Sequence, residues 1–118
     1  MKKYKRTIIE CVGSCDSDLF KKMIERGDIE AIKVKDAVGS IVDITGYATV
    51  HVETDDNQFD IDYYATDDGF ISSGSTYFKD GVQAYFGQGN KLKICSVKTK
   101  KGSTFKVSPI MGKNNDEE

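Results

Sequence analysis

Six lysines, Lys91, Lys93, Lys98, Lys100, Lys101 and Lys106, fall within sixteen residues with no acidic residue between them. Ammonium groups gathered in this way can neutralise phosphates and release their counterions, a source of affinity for nucleic acid that needs no particular base sequence. The same pattern also suits an exposed β-hairpin whose lysines keep its edge from pairing with another chain. Tyr47 and Tyr64 are the aromatic candidates to accompany the lysines. A base stacked on an exposed ring contributes roughly 1–3 kcal/mol, although tyrosine is equally a favoured strand residue. Tyr63, Phe59 and Phe105 are expected in the core.

The other reactive residue types form no constellation. Asp55, Asp56, Asp60, Asp62, Asp67 and Asp68 crowd the middle of the chain, but no calcium-loop spacing with a closing glutamate appears. Most of them read as solvated turns, and strand-edge aspartates offer no pocket for general acid–base work. Cys11, Cys15 and Cys95 are an odd number of cysteines. The C-x3-C pair lacks the further ligands of a zinc site, so reduced, small buried hydrophobes are expected. His51, the only histidine, is expected on a strand surface, with nothing local to activate it or a cysteine. Gly87-Gln88-Gly89-Asn90 follows a helix and precedes a strand, the reverse of a phosphate-binding loop. A non-enzymatic protein without metal or cofactor is expected.

The net charge of −2 hides an asymmetry. Residues 1–35 hold nine Lys/Arg and six Asp/Glu, residues 36–68 hold nine acids and no base, and residues 69–118 hold eight lysines and four acids. Such a split suggests a surface with distinct positive and negative fields. With 118 residues, 38% hydrophobic and 31% charged, the chain is an ordinary single domain in composition. No apolar run reaches the roughly 20 residues of a membrane helix. Glu10, Asp16 and Asp18 interrupt any signal-peptide core after Met1–Arg6, so a cytoplasmic protein is expected.

The elements that must carry these residues follow from periodicity. Residues 7–12 read as a strand. Asp16 or Ser17 caps a helix whose stripe is Leu19, Phe20, Met23 and Ile24, and Gly27 ends it. From Ala31 the period falls to two. A long first strand runs through Ile32, Val34, Val38, Ile41, Val42 and Ile44, bent at Gly39 and Gly46. Strands over 47–54 and 58–65 flank a turn at Asp55-Asp56-Asn57. Along the first, Ala48, Val50 and Val52 oppose Tyr47, Thr49 and His51; along the second, Phe59, Ile61 and Tyr63 oppose Asp60, Asp62 and Tyr64. After a turn at 66–69, Phe70 and Ile71 lead to a helix capped by Ser75 or Thr76, with Phe78, Val82, Tyr85 and Phe86 on one face. Strand 91–97, a turn at 99–102 and a last strand through Phe105 and Val107 close the series, with Lys91, Lys93 and Lys106 outward.

The order strand, strand, strand, helix, strand, strand predicts a mainly β, OB-fold-like five-strand barrel with a helix between strands three and four, preceded by an N-terminal strand and helix. An open α+β roll from the same elements is the alternative. Residues 1–112 would be one domain with a 1–30 extension, and 113–118 a short acidic tail.

Thr66-Asp67-Asp68-Gly69-Phe70-Ile71-Ser72-Ser73-Gly74-Ser75-Thr76-Tyr77-Phe78 resembles a segment of small single-stranded DNA-binding proteins of Gram-positive phages and mobile elements. There, an acidic turn precedes an aromatic, an Ile-Ser-[Ser/Thr]-Gly-Ser stretch and an aromatic-containing helix. The resemblance covers about a tenth of the chain. It implies an OB-fold and non-sequence-specific single-strand binding in replication or recombination. Lys91, Lys93, Lys98, Lys100, Lys101 and Lys106 would then meet the strand, Tyr47 and Tyr64 would stack bases, and Asp116, Glu117 and Glu118 would compete for the groove or recruit replication or recombination proteins. Homo-oligomerisation is compatible with this reading, because small binding modules gain from multivalency. Asp60 and Asp62 depart from the pattern: on the same face as Tyr64, they would repel a phosphate path. The tail also lacks the terminal aromatic that such tails often carry. The competing expectation is a protein-interaction module or phage-encoded inhibitor that uses an acidic face over 53–68.

Overall fold

Three tight turns with one chemistry set the strand pairing. At Thr54-Asp55-Asp56-Asn57, Thr66-Asp67-Asp68-Gly69 and Thr99-Lys100-Lys101-Gly102, the threonine hydroxyl accepts the N–H two residues on and donates to the carbonyl three residues on. This is the local hydroxyl–backbone bonding that favours threonine at turns. Gly69 and Gly102 have φ of 130° and 138°, which a side chain would rarely adopt. The side chains of the middle residues add charge to these turns but take no part in the hydroxyl bonds that shape them.

The computed structural model describes residues 4–110. In chain order the strands are β1 (Lys5–Gly13), β2 (Ala31–Lys33), β3 (Ile41–Val42), β4 (Ile44–Glu53), β5 (Gln58–Thr66), β6 (Gly69–Ser73), β7 (Leu92–Thr99) and β8 (Gly102–Pro109). The helices are α1 (Asp18–Arg26) and α2 (Thr76–Tyr85), and Val34–Ala37 forms a 3-10 turn. The protein is thus mainly β with two helices. The strands make a five-stranded sheet, ordered β1-β4-β5-β6-β2, and a three-stranded sheet, β3-β7-β8. All pairs are antiparallel except β2 with β6. No described helix is long and apolar enough to cross a membrane.

The caps are those the sequence points to, with one choice made at each helix. Ser17 Oγ accepts the Phe20 N–H at the start of α1, and Ser75 Oγ accepts the Phe78 N–H at the start of α2. Gly27 ends α1 with φ of 71°, its N–H bonded to the Ile24 carbonyl and that of Asp28 to the Met23 carbonyl.

The five-stranded sheet is covered on both faces. On one face α1 sets Phe20 and Ile24 against Ala48, Val50 and Val52. On the other, α2 and the three-stranded sheet set Phe78, Val82, Leu92 and Ile94 against Tyr47 and Tyr64. Gly46 permits the crossing after β1, because a Cβ there would lie 2.6 Å from the Ser14 backbone nitrogen.

Four expectations change. The long strand through 32–44 divides into β2, the 3-10 turn and β3: Val34 and Ala37, three residues apart, turn inward together, and Gly39 (φ 95°) redirects the chain. The barrel does not close: β2 takes the outer edge of β6, and β8 is an edge strand. Tyr47 and Tyr64, expected as exposed stacking platforms, are 8% and 0% exposed. Their rings meet Phe86 and Phe78 edge-on at 5.3 and 5.1 Å, so no base reaches them. Alternation separates two faces of a strand, but it does not show that both are buried. Phe59, expected in the core, is instead 44% exposed: it lies across from the buried Val52 but outside the cluster that packs against α1. Tyr63 and Phe105 are half-buried against the two cores.

Candidate nucleic-acid interface

The lysine segment folds as the hairpin its alternation predicts. Ile94 pairs with Val107 and Ser96 with Phe105, and these residues share the inner face. Lys93 and Lys106 project from the outer face, Lys98 continues the inner face beyond Phe105, and Lys100 and Lys101 form the tip. Lys91 lies just before β7. All six are exposed. None forms an ion pair with a described carboxylate.

Beside the hairpin's inner face lies a hollow of about 280 Å³, lined by Ile61, Phe105, Val34, Ser72, Ser73, Gly74, Lys33 and Lys35. Burial of Val34 positions both of these lysines: the side chain between them turns into the core, so the flanking pair stays outside. Phe105 comes from β8, Ile61 from β5 and the serines from the end of β6. No carboxylate among the described residues lines the hollow. Lys33, Lys35 and the half-exposed Phe105 were not apparent as a unit in the sequence. The available signal was Lys-Val-Lys, which the long-strand reading hid.

The acids expected to repel a phosphate path do not line the hollow. Asp60 and Asp62 share a face of β5 with Tyr64, whereas Ile61 lies on the other face. Asp62 is 7% exposed. It accepts the Thr49 hydroxyl proton at 2.6 Å, and the Lys79 ammonium of α2 lies 3.8 Å away, bonded at 2.7 Å to Thr49 Oγ1 and 3.4 Å from Glu10. Burial pushes the Asp62 carboxyl up, while Thr49 and Lys79 act in the opposite direction. Asp60 bonds to His51 Nδ1 at 2.7 Å, and this bond is the main cause that raises the imidazole above its ordinary value. His51 Nε2 lies 3.2 Å from Gln58 Oε1 and 3.6 Å from Glu53.

The remaining acids do not gather into one patch. Asp55-Asp56 and Asp67-Asp68 sit at opposite ends of β5, whose nine residues span about 30 Å. Asp116, Glu117 and Glu118, expected to bind partners, lie outside the described residues. Cys15 is fully buried in the α1 core, where burial, and secondarily Cys11, push its thiol up to about 11. Such a thiol is a poor nucleophile at neutral pH. No group of three or more His, Cys, Asp or Glu among the described residues is placed to hold a metal ion.

No family model matches the chain, and neither a curated protein nor a solved structure shows significant similarity to it.

Proposed function

We propose that the protein binds single-stranded DNA through its β7–β8 hairpin, without base-sequence preference and in the service of replication or recombination in a phage or mobile element. The observation that carries this reading is the hairpin itself: six exposed lysines, none paired with a described carboxylate, next to a hollow that no described acid lines. Exposed ammonium groups on a paired β-ribbon are suited to a flexible, uniformly charged strand, because each phosphate neutralised releases a counterion. Neither Asp60 nor Asp62 lines the hollow, and each is engaged elsewhere, Asp62 by Thr49 and Lys79 and Asp60 by His51, which weakens the repulsion expected of them. The burial of Tyr47 and Tyr64 takes away their stacking role and leaves the lysines as the main source of affinity.

The series β3–β4, β5, β6, α2, β7, β8, with β3 paired back to β7, follows the strand and helix order of a partly open Greek-key barrel of OB type. In this reading the barrel is opened by β2, which occupies the edge of β6. Cytoplasmic location and partner recruitment through Asp116–Glu118 belong to the same proposal.

Fluorescence anisotropy with a labelled oligothymidine tests it across a salt series. Binding at low salt, weakening steeply as salt rises, is the expected result. No binding at micromolar protein and low salt would refute it, and binding indifferent to salt would refute the role of the hairpin.

A further inference from the structure

A hollow that joins a partly exposed aromatic ring to two ammonium groups, neither paired with a described carboxylate, complements the chemistry of one nucleotide, a flat apolar base with an anion attached. We infer, on the strength of the strand-binding role proposed for the hairpin, that the space between Phe105, Ile61, Lys33 and Lys35 takes a single unpaired base of the bound strand, with Lys33 and Lys35 on the adjoining phosphates. Four observations support this occupant. The cavity of about 280 Å³ lies just below the range of drug-sized pockets, about 300–1,000 Å³, which suits one ring system. Its floor is apolar, made by Phe105, Ile61 and the buried Val34. Its charged lining is entirely cationic. Asp36 follows Lys35 in the 3-10 turn but does not line the hollow. Finally, Lys98 lies on the same hairpin face as Phe105, on the neighbouring inward pair. A strand leaving the hollow therefore meets the hairpin's own lysines without crossing an acidic turn.

Every base presents an apolar face, so such a subsite adds affinity without adding sequence preference. It also assigns the stacking role, which the buried tyrosines cannot perform, to a ring contributed by the last strand. Phe59, two residues from Ile61 on the same face of β5, offers a second exposed ring next to the hollow.

The test compares two labelled oligonucleotides of equal length, an oligothymidine and its abasic analogue, which has the same phosphates and no bases. The intact protein should bind the oligothymidine roughly tenfold or more tightly. Phe105→Leu keeps apolar volume at the core margin and removes the ring, so it should bring the two affinities together while leaving the salt dependence unchanged. Lys33→Gln with Lys35→Gln should do the reverse, lowering the salt dependence and preserving the preference for bases. If the intact protein binds both oligonucleotides equally, with salt dependence intact, the base subsite is wrong and strand binding by the hairpin stands. If it binds neither at low salt, strand binding itself fails. Photocrosslinking with 5-iodouracil in the oligothymidine gives a readout independent of any variant. The adduct is expected on the β8 peptide that contains Phe105, and an adduct confined to other peptides would overturn the assignment. Dimerisation that Phe105→Leu abolishes, together with equal affinities for the two oligonucleotides, would assign the hollow to a second copy of the chain instead.

Discussion

Replacing Lys100 and Lys101 by aspartate changes Thr99-Lys100-Lys101-Gly102 into the Thr-Asp-Asp-Gly sequence that the protein already uses at 66–69. Both turns are held by the same threonine and glycine bonds, so the substitution reverses charge without touching what shapes the hairpin. Stability should stay within about 0.5 kcal/mol of the wild type, as for surface changes away from structural features. Binding should not. If Lys33, Lys35, Lys91, Lys93, Lys98, Lys100 and Lys101 each neutralise one phosphate, the logarithm of affinity should fall against the logarithm of salt with a slope of about −4.9, and with the two tip contacts gone about −3.5. Between 50 and 200 mM salt the wild type should then lose about 900-fold in affinity and the variant only about 130-fold. At the lowest salt the variant should also be the weaker binder, because two aspartates now face the strand. Anisotropy titrations at four salt concentrations, with thermal melts of both proteins, measure all of this. Equal slopes and equal affinities in two proteins of equal stability would refute the role of the tip.

Lys79→Met should cost about 1–3 kcal/mol in urea unfolding, because it leaves the buried Asp62 carboxylate without its cation. The raised Asp62 carboxyl makes the folded protein hold a proton more tightly than the unfolded chain, so its contribution is greatest below the ordinary value of 3.8 and is lost as pH rises through the raised one. The urea midpoint of wild type relative to Asp62→Asn should accordingly rise as pH falls into that window, and a constant difference would contradict the burial argument. His51 titrates above 6.5 chiefly through its bond to Asp60, so its contribution is complete below 6.5 and fades as pH rises through the raised value. As the sole histidine it can be followed by NMR, and Asp60→Asn should bring its midpoint down. Tyr64→Phe removes a buried hydroxyl that has no hydrogen-bond partner among the described residues, so stability should hold or rise by up to about 1 kcal/mol. A loss of stability would show that the hydroxyl is satisfied in solution.

Local chemistry was legible in the sequence wherever one residue decided the outcome. Ser17, Gly27 and Ser75 mark helix ends because their bonds are to backbone within three or four residues. The hairpin register was legible because Leu92, Ile94, Phe105 and Val107 alternate against lysines and polar residues. What lay beyond reach was which surfaces meet. The alternation of Tyr47 and Tyr64 with Ala48 and Tyr63 is the same whether a face is bare or capped by α2. Likewise, nothing local distinguishes a β6 edge closed by β8 from one occupied by β2. The hollow depends on four segments far apart in the chain, Lys33–Lys35, Ile61, Ser72–Gly74 and Phe105, and no pattern within a single segment announces it.

The position of β4 governs how the molecule can come apart. Its backbone is hydrogen-bonded to β1 on one side and β5 on the other, and it contributes Ile44 and Tyr47 to one core and Ala48, Val50 and Val52 to the other. Neither core can open without exposing β4, so partial opening gains little freedom for the contacts it forfeits. The slowest hydrogen exchange should therefore lie in the amides of Tyr47–Val52, close to the global unfolding limit. The tip at Lys100-Lys101, far from either core, should exchange orders of magnitude faster. The strand and helix that precede residue 30 supply one of the two layers that make β4 an interior strand. Removing them would turn a cooperative unit into a sheet with one bare apolar face.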